Sequence, residues 1–155
     1  MSRVTCDMAM SVDGFVAGPN QSLENPFGDG VEDRLHQWMF DEPDANAAEI
    51  EAMTAAGAFI MGRNMFSPGR GAWDMEWKGW WGDEPPYHAP VFVLTHHRRA
   101  PLTMEGGTTF TFVTDGIDAA LAQARAAAGE AGIAIAGGAA TVNQYLAAGL
   151  VDELR

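Results

Sequence analysis

Ile133-Ala134-Ile135-Ala136-Gly137-Gly138-Ala139-Ala140-Thr141-Val142-Asn143-Gln144-Tyr145-Leu146 is the stretch on which the reading of this chain turns. Four small apolar residues give the signal of a short buried strand, two glycines break it, and Val142, Tyr145 and Leu146 then recur at helical spacing. The stretch reads as strand, glycine turn, helix. Such a turn brings backbone N–H groups close to a ligand and aims the partial positive charge of a helix N-terminus at it, for which phosphate is the natural guest. A tight strand-to-helix turn calls for the same small residues, so Gly137-Gly138 by itself leaves both readings open.

Two further segments repeat the pattern. Ala58 to Met61 is a short apolar strand that enters Gly62-Arg63-Asn64-Met65-Phe66, and ligands of open α/β sheets collect at the carboxyl ends of strands. Arg63 could supply a fixed fork for phosphate oxygens or serve as a surface ion-pair partner. Val91 to Leu94, introduced by Pro90, is a continuous apolar run of the kind buried on both faces. It ends at Thr95-His96-His97-Arg98-Arg99, where a hydroxyl, two imidazoles and two guanidiniums form a third candidate anion site. Adjacent histidines in an extended segment point to opposite sides, and no second Cys or His cluster has zinc-ligand spacing, so phosphate is preferred to metal.

The other elements surround these three. Val4 to Met10 reads as a strand that runs into a loop punctuated by Gly14, Gly18 and Pro19. Asp7 is expected on its solvent face or capping a turn, and Asp13 before Gly14 suits an Asx-turn as well as a polar contact. Val31, Leu35, Trp38 and Met39 form an apolar stripe over 31–40, with Trp38 in the core. A second helix opens at Asp44, carries Ile50 and Met53, and stops at Gly57. Thr108 to Val113 reads as a strand, Asp115 as the cap of a helix with Ile117, Leu121, Ala124 and Ala128 inward, and Gly129 as its end. This order predicts a three-layer α/β fold with a mostly parallel central sheet and helices on both faces. Leu150 to Arg155 resembles the start of another strand. The expectation is therefore one domain over 1–155 that lacks its C-terminal strands.

Ser67 to Pro90 shows no periodicity and holds four of the five tryptophans, Trp73, Trp77, Trp80 and Trp81. Long loops in compact domains tend to be functional or disordered, and tryptophans disfavour disorder. The segment either covers one face of the core or forms an aromatic wall of a pocket or dimer contact.

Composition narrows the function classes. At 155 residues and 47% hydrophobic the chain is one globular domain, and a net charge of −12 argues against nucleic acid and anionic membranes as partners. Five of the nine Lys and Arg nonetheless fall between Arg63 and Arg99, with His88, His96 and His97 among them. A basic segment in an acidic protein fits a small anionic ligand. Cys6 is the only cysteine, which excludes an intrachain disulfide. With no charged leader and no apolar run of membrane length, a soluble cytoplasmic protein is expected.

Three anion loops at three strand ends resemble the dihydrofolate reductase-like superfamily, in particular the branch holding the reductase domain of bacterial riboflavin biosynthesis. The resemblance rests on Met-Ser-Val-Asp-Gly-Phe-Val-Ala-Gly at 10–18, Phe-Ile-Met-Gly-Arg-Asn-Met-Phe at 59–66, Val-Leu-Thr-His at 93–96 and Ile-Ala-Gly-Gly-Ala-Ala-Thr-Val-Asn-Gln-Tyr-Leu at 135–146. It implies NADPH across the carboxyl ends of the strands, with Gly62, Arg63, Asn64 and Met65 at phosphate. Thr95, His96, His97 and Arg98 would surround the adenosine 2′-phosphate, and Gly137, Gly138, Ala139, Ala140 and Thr141 the pyrophosphate and ribose. Ala9, Val16 and Ala17 would line the nicotinamide, Asp13 would act near it as the catalytic polar group, and Trp38 and Trp73 would bind the substrate ring. The implied activity is hydride transfer to a C=N or C=C bond of a small planar heterocycle, by a possible homodimer. A riboflavin-pathway pyrimidine reductase and a non-catalytic nucleotide-binding protein of the same fold are the alternatives.

Several positions depart from the family pattern. Met65 stands where dihydrofolate reductases usually have threonine, and Ala139 where they have a third glycine. Their pterin-binding carboxylate lies on the first helix, near Glu32 and Asp33 here. The riboflavin reductases usually carry lysines at the positions of Asp7 and Phe15, and that loss removes charge favouring a phosphorylated substrate.

Overall fold

Side chains alternate in direction along a strand, and in this chain both sets of a central group of strands are apolar. A computed structural model describes residues 2–31 and 34–155. Strand β1 (Val4–Cys6) is followed by the short α1 (Gln37–Phe40), α2 (Ala47–Thr54), β2 (Ala58–Gly62) and the single turn α3 (Arg63–Phe66). After the tryptophan segment come β3 (Pro90–Leu94), β4 (Leu102–Thr103), β5 (Thr109–Val113), α4 (Ile117–Ala128), β6 (Ile133–Gly137), α5 (Ala139–Ala147) and β7 (Glu153–Leu154). The strands form one sheet in the order β4-β5-β3-β2-β6-β1-β7. Every pairing is parallel except β4 with β5.

One face carries Ala58, Ile60, Phe92, Ile133 and Ile135, which pack against Leu121, Ala124 and Ala128 of α4 and Val142 and Tyr145 of α5. Tyr145 is fully buried, and its hydroxyl donates to the Ile117 carbonyl at 2.8 Å, so the two helices are joined by a hydrogen bond as well as by packing. The opposite face carries Phe59, Met61, Val91, Val93 and Phe110. Among the described residues no helix layer matches α4 and α5 there. Phe66 and Tyr87, with the partly buried Trp73, Trp77 and Trp81, cover this face instead. The third layer expected from the sequence is thus largely the aromatic segment, since neither α1 nor α2 buries a residue.

Other expectations shift for local reasons. The first strand ends at Cys6, because Asp7 turns to an ion pair with Arg155 rather than to solvent or a turn. The helix expected over 31–40 is one 3₁₀ turn, Arg34–His36, followed by α1, and Trp38 is only partly buried. Glu32 and Asp33 lie outside the described residues. Asp44 does not cap α2; Asn46 stands at the N-cap, and its amide reaches back to the carbonyls of Trp38 (2.8 Å) and Glu42 (3.0 Å). Asp115 likewise yields the N-cap of α4 to Gly116, whose φ of 89° favours glycine. Gly57 lies beyond the end of α2, where a Cβ would come within 2.8 Å of Ala131 Cβ and 2.9 Å of the Ala128 carbonyl. Gly129 ends α4 as expected, at φ 58°. Leu150 to Arg155 contributes β7, paired with β1. Among the described residues, no helix is long and apolar enough to cross a membrane.

His36 stacks on Phe27 with ring centroids 4.6 Å apart and lies 5.9 Å from Phe40. Burial holds its imidazole below the ordinary value of 6.5. The unfolded chain therefore binds a proton that the folded chain resists, so stability is present above about pH 6.5 and falls as pH drops through that value. His36→Phe keeps the ring stack and is expected to flatten this acid dependence relative to wild type, as read from urea midpoints between pH 5 and 7.5.

Candidate functional site

Parallel pairing sets the site by placing strand ends side by side. Gly62 is opposite Leu94 across the β2–β3 pair, and Met61 is opposite Gly137 across β2–β6. The segments beginning at Thr95, Gly62 and Gly137 therefore leave the same edge of the sheet in adjacent positions, with the chain beyond β1 next in order. The three segments read from sequence as candidate anion sites are thus brought together.

Their contact is close. A Cβ on Gly62 would collide with Thr141 Oγ1, so only glycine lets β2 approach the first turn of α5 this nearly. The Gly137–Gly138 peptide is cis, and Gly137 has a φ of 125°. A Cβ there would lie 3.3 Å from Met65 Sδ, whereas one on Gly138 meets nothing within 4 Å. Gly138 therefore faces open space at the N-cap of the nine-residue α5. Ala139 and Ala140 are exposed beside it, and Thr141 is buried. On the β3 side Thr95 is buried, its hydroxyl accepting from His97 N–H at 3.1 Å, while His96, His97 and Arg98 are exposed. Asn64 is exposed and donates to Gln21 Oε1 at 2.9 Å, which docks the loop after β1 on the Gly62 loop.

The tryptophan segment fixes the arginines of this edge. Arg63 donates to the Gly71 and Ala72 carbonyls at 2.6 and 3.4 Å, and its guanidinium sits 3.9 Å from the Trp73 ring centre. Trp73 in turn donates its indole N–H to the His97 carbonyl at 2.8 Å. Trp73 thus bridges the second and third loops. Arg99 is 8% exposed, ringed by Phe66, Trp73 and Phe112 at 5.3 to 5.7 Å, and donates to the Met75 and Trp77 carbonyls at 3.1 and 2.6 Å. Arg98, Arg99, Phe112, Thr114 and Gln123 border a polar recess of 340 Å³ between the ends of β3 and β5.

A second hollow opens at the end of β1. It measures 470 Å³; Met8, Ala9 and Trp38 line one part, and Ala48, Ala52 and Met53 of α2 line another. Asp7, Glu49 and Arg155 supply its charges. Arg155 holds Asp7 in a bidentate ion pair, Nε to Oδ1 at 2.9 Å and Nη2 to Oδ2 at 3.0 Å. Beneath it the Cys6 thiol is pushed up to about 11 by burial and, less, by Asp7, which leaves it protonated and unreactive at neutral pH.

The remaining expected residues divide. Ala9 and Trp38 meet at the cleft, and Val16 and Ala17 are half-buried in the loop beyond it. Trp73 does not line the cleft, because its ring is stacked with Arg63 and its N–H is taken by His97. Asp13 stands on an exposed loop, where its carboxylate accepts from Ser11 Oγ at 2.6 Å, and does not line the cleft. Sequence reading put Arg99 with the cations of the third anion loop, whereas it is buried and bound to the Met75 and Trp77 carbonyls. It missed Glu49 and Arg155, whose places depend on long-range packing. Among the described residues no cluster of His, Cys, Asp and Glu could hold a metal.

The comparisons with known proteins bear on the family and the fold. The family model of the RibD C-terminal domain matches residues 2–155. The chain belongs to that family. A crystal structure of a Shewanella sp. PV-4 protein, provisionally named a riboflavin biosynthesis protein, superposes with a TM-score of 0.59 at 22% identity, covering 99% of this chain and 74% of that one. It has the same dihydrofolate reductase-like fold. No curated protein matches the sequence.

Trp73→Ala removes a ring wedged between Arg63, Phe66 and Phe112 together with the hydrogen bond to His97. For a partly buried tryptophan the expected cost is roughly 2–4 kcal/mol, measured by urea denaturation.

Proposed function

We propose that the protein is an NADPH-dependent reductase delivering hydride to a C=N or C=C bond of a small planar heterocycle. The observation that carries this reading is the adjacency of the Thr95, Gly62 and Gly137 loops on one sheet edge, beside a cleft at the end of β1. Membership of the RibD C-terminal domain family supports a riboflavin-type reductase.

The residues present fit a dinucleotide. Gly138 leaves room that a side chain would fill, and the turn opens at the N-terminus of α5, where backbone N–H groups favour a pyrophosphate. Gly62, Arg63, Asn64 and Met65 would hold the adjoining phosphate. Thr95, His96, His97 and Arg98 would meet the 2′-phosphate, for which cations take the place of the carboxylate usual in NAD sites. Ala139, Ala140 and Thr141 would complete the ribose contact, and Ala9, Val16 and Ala17 the nicotinamide end. The bound cofactor supplies the hydride, and the protein's contribution is placement.

This chain's own side chains do the positioning. Trp38, Met8 and Met53 give the substrate ring an apolar seat next to Ala9. Ser11 and Asp13 shape the loop over residues 11–15 through their hydrogen bond. The proton reaches the substrate from water entering the open cleft, since Asp13 is not among its walls. An NADPH-using enzyme of this kind suits the cytoplasm.

Thermal shift tests the cofactor. NADPH at about 100 times its dissociation constant should add roughly 2.7 kcal/mol, or about 5–10 °C in melting temperature. NADH should give clearly less. Arg63→Ala should weaken NADPH binding by about tenfold, the loss of one charge-assisted contact. Equal shifts with both dinucleotides would remove the 2′-phosphate assignment.

NADPH oxidation should also be followed with a panel of pterins and aminopyrimidines, phosphorylated and not. Turnover with an unphosphorylated ring supports the reading. Binding of NADPH with no turnover across the panel would indicate a nucleotide-binding protein of the same fold.

A further inference from the structure

The cleft at the end of β1 combines apolar walls with an uneven set of charges. Among the described residues its one cation is Arg155, which is occupied by Asp7 through two contacts of 2.9 and 3.0 Å. Asp7 is the more sheltered partner, its side chain 18% exposed against 41% for Arg155. The third charged group, Glu49 on α2, is exposed and makes no hydrogen bond or ion pair with the described residues. The cleft therefore offers an engaged guanidinium, an engaged carboxylate and one free carboxylate.

We infer that this cleft selects a planar ring that is neutral or cationic and presents N–H donors, and that it rejects rings carrying a phosphate. The inference rests on the cleft being the substrate site of the proposed reductase. A phosphate dianion entering here meets a cation already neutralised at contact distance, with a carboxylate facing the same space. Prying Arg155 loose would leave Asp7 unpaired beside Met8 and Ala9, which is costly for a sheltered charge. An amino or amidino ring meets the opposite conditions: Glu49 accepts its N–H groups, and the indole of Trp38 attracts a delocalised cation. Discrimination thus arises as much from what the cleft opposes as from what it binds.

Benzamidine and phenyl phosphate are planar rings of similar size and opposite charge, and they test this in the absence of any dinucleotide. Titrated against ¹⁵N-labelled protein, benzamidine should shift the amide resonances of Met8, Ala48 and Ala52 with a dissociation constant at least about tenfold below that of phenyl phosphate. Glu49→Gln should weaken benzamidine by about threefold, the scale of one exposed charge pair. Asp7→Asn frees Arg155 and should tighten phenyl phosphate by about fivefold. Phenyl phosphate moving these amides as tightly as benzamidine, benzamidine leaving them unmoved, or an unchanged ratio in both variants overturns the inference. Failure of NADPH to stabilise the protein would overturn the cofactor reading alone, because this titration contains no cofactor.

Discussion

A buried guanidinium holds the second face of the sheet together. Arg99 stands just past β3 among Phe66, Trp73 and Phe112 and grips the backbone of the tryptophan segment at Met75 and Trp77. Burial disfavours its charge and lowers the guanidinium's proton affinity, with the Asp74 carboxylate acting in the opposite sense. Taking an ion out of water costs several kcal/mol, and the two carbonyl contacts and the aromatic faces must offset it. That grip acts together with the hydrogen bonds of Arg63 to the Gly71 and Ala72 carbonyls, the packing of Trp73 on Phe66 and Phe112, and the indole hydrogen bonds of Trp77 to the Phe66 carbonyl and of Trp73 to His97. Arg99 thus ties the aromatic cover at Met75 and Trp77 to the end of β3.

Much of this could be read from the chain. Continuous apolar runs at 58–61, 91–94 and 133–136 marked the central strands, and the stripe Leu121, Ala124, Ala128 marked the inward face of α4, because local pattern and burial agree there. The glycine loops were legible for the same reason, since close approach admits few residue types. What escaped was set by distant contacts. Asp7 looks like a break in a strand until Arg155, 148 positions away, is seen to hold it. Trp38 reads as core by spacing yet lines a cleft, because α1 is one turn long and buries nothing. Trp73 reads as a pocket wall, but its ring serves Arg63 and its N–H serves His97. Asp44 and Asp115 look like caps, whereas Asn46 and Gly116 supply the required backbone geometry.

The distribution of charge follows the same division. A net charge of −12 is spread over the surface, while positive groups gather at the carboxyl edge of β2 and β3. The edge near β1 has the contrary balance, its cation neutralised and a carboxylate to spare. One sheet edge thus carries a basic half beside a neutral-to-acidic half.

Cys6 has a practical consequence. It is the only cysteine in the chain, it is fully buried in β1, and its thiol stays protonated. The native protein is therefore close to silent toward maleimides and iodoacetamides. A cysteine introduced at an exposed position such as Gly71 or Glu76 in the tryptophan segment would be the sole labelling site, with no need to remove the natural one. A spin label or fluorophore there would report directly whether the aromatic cover shifts when a ligand reaches the sheet edge.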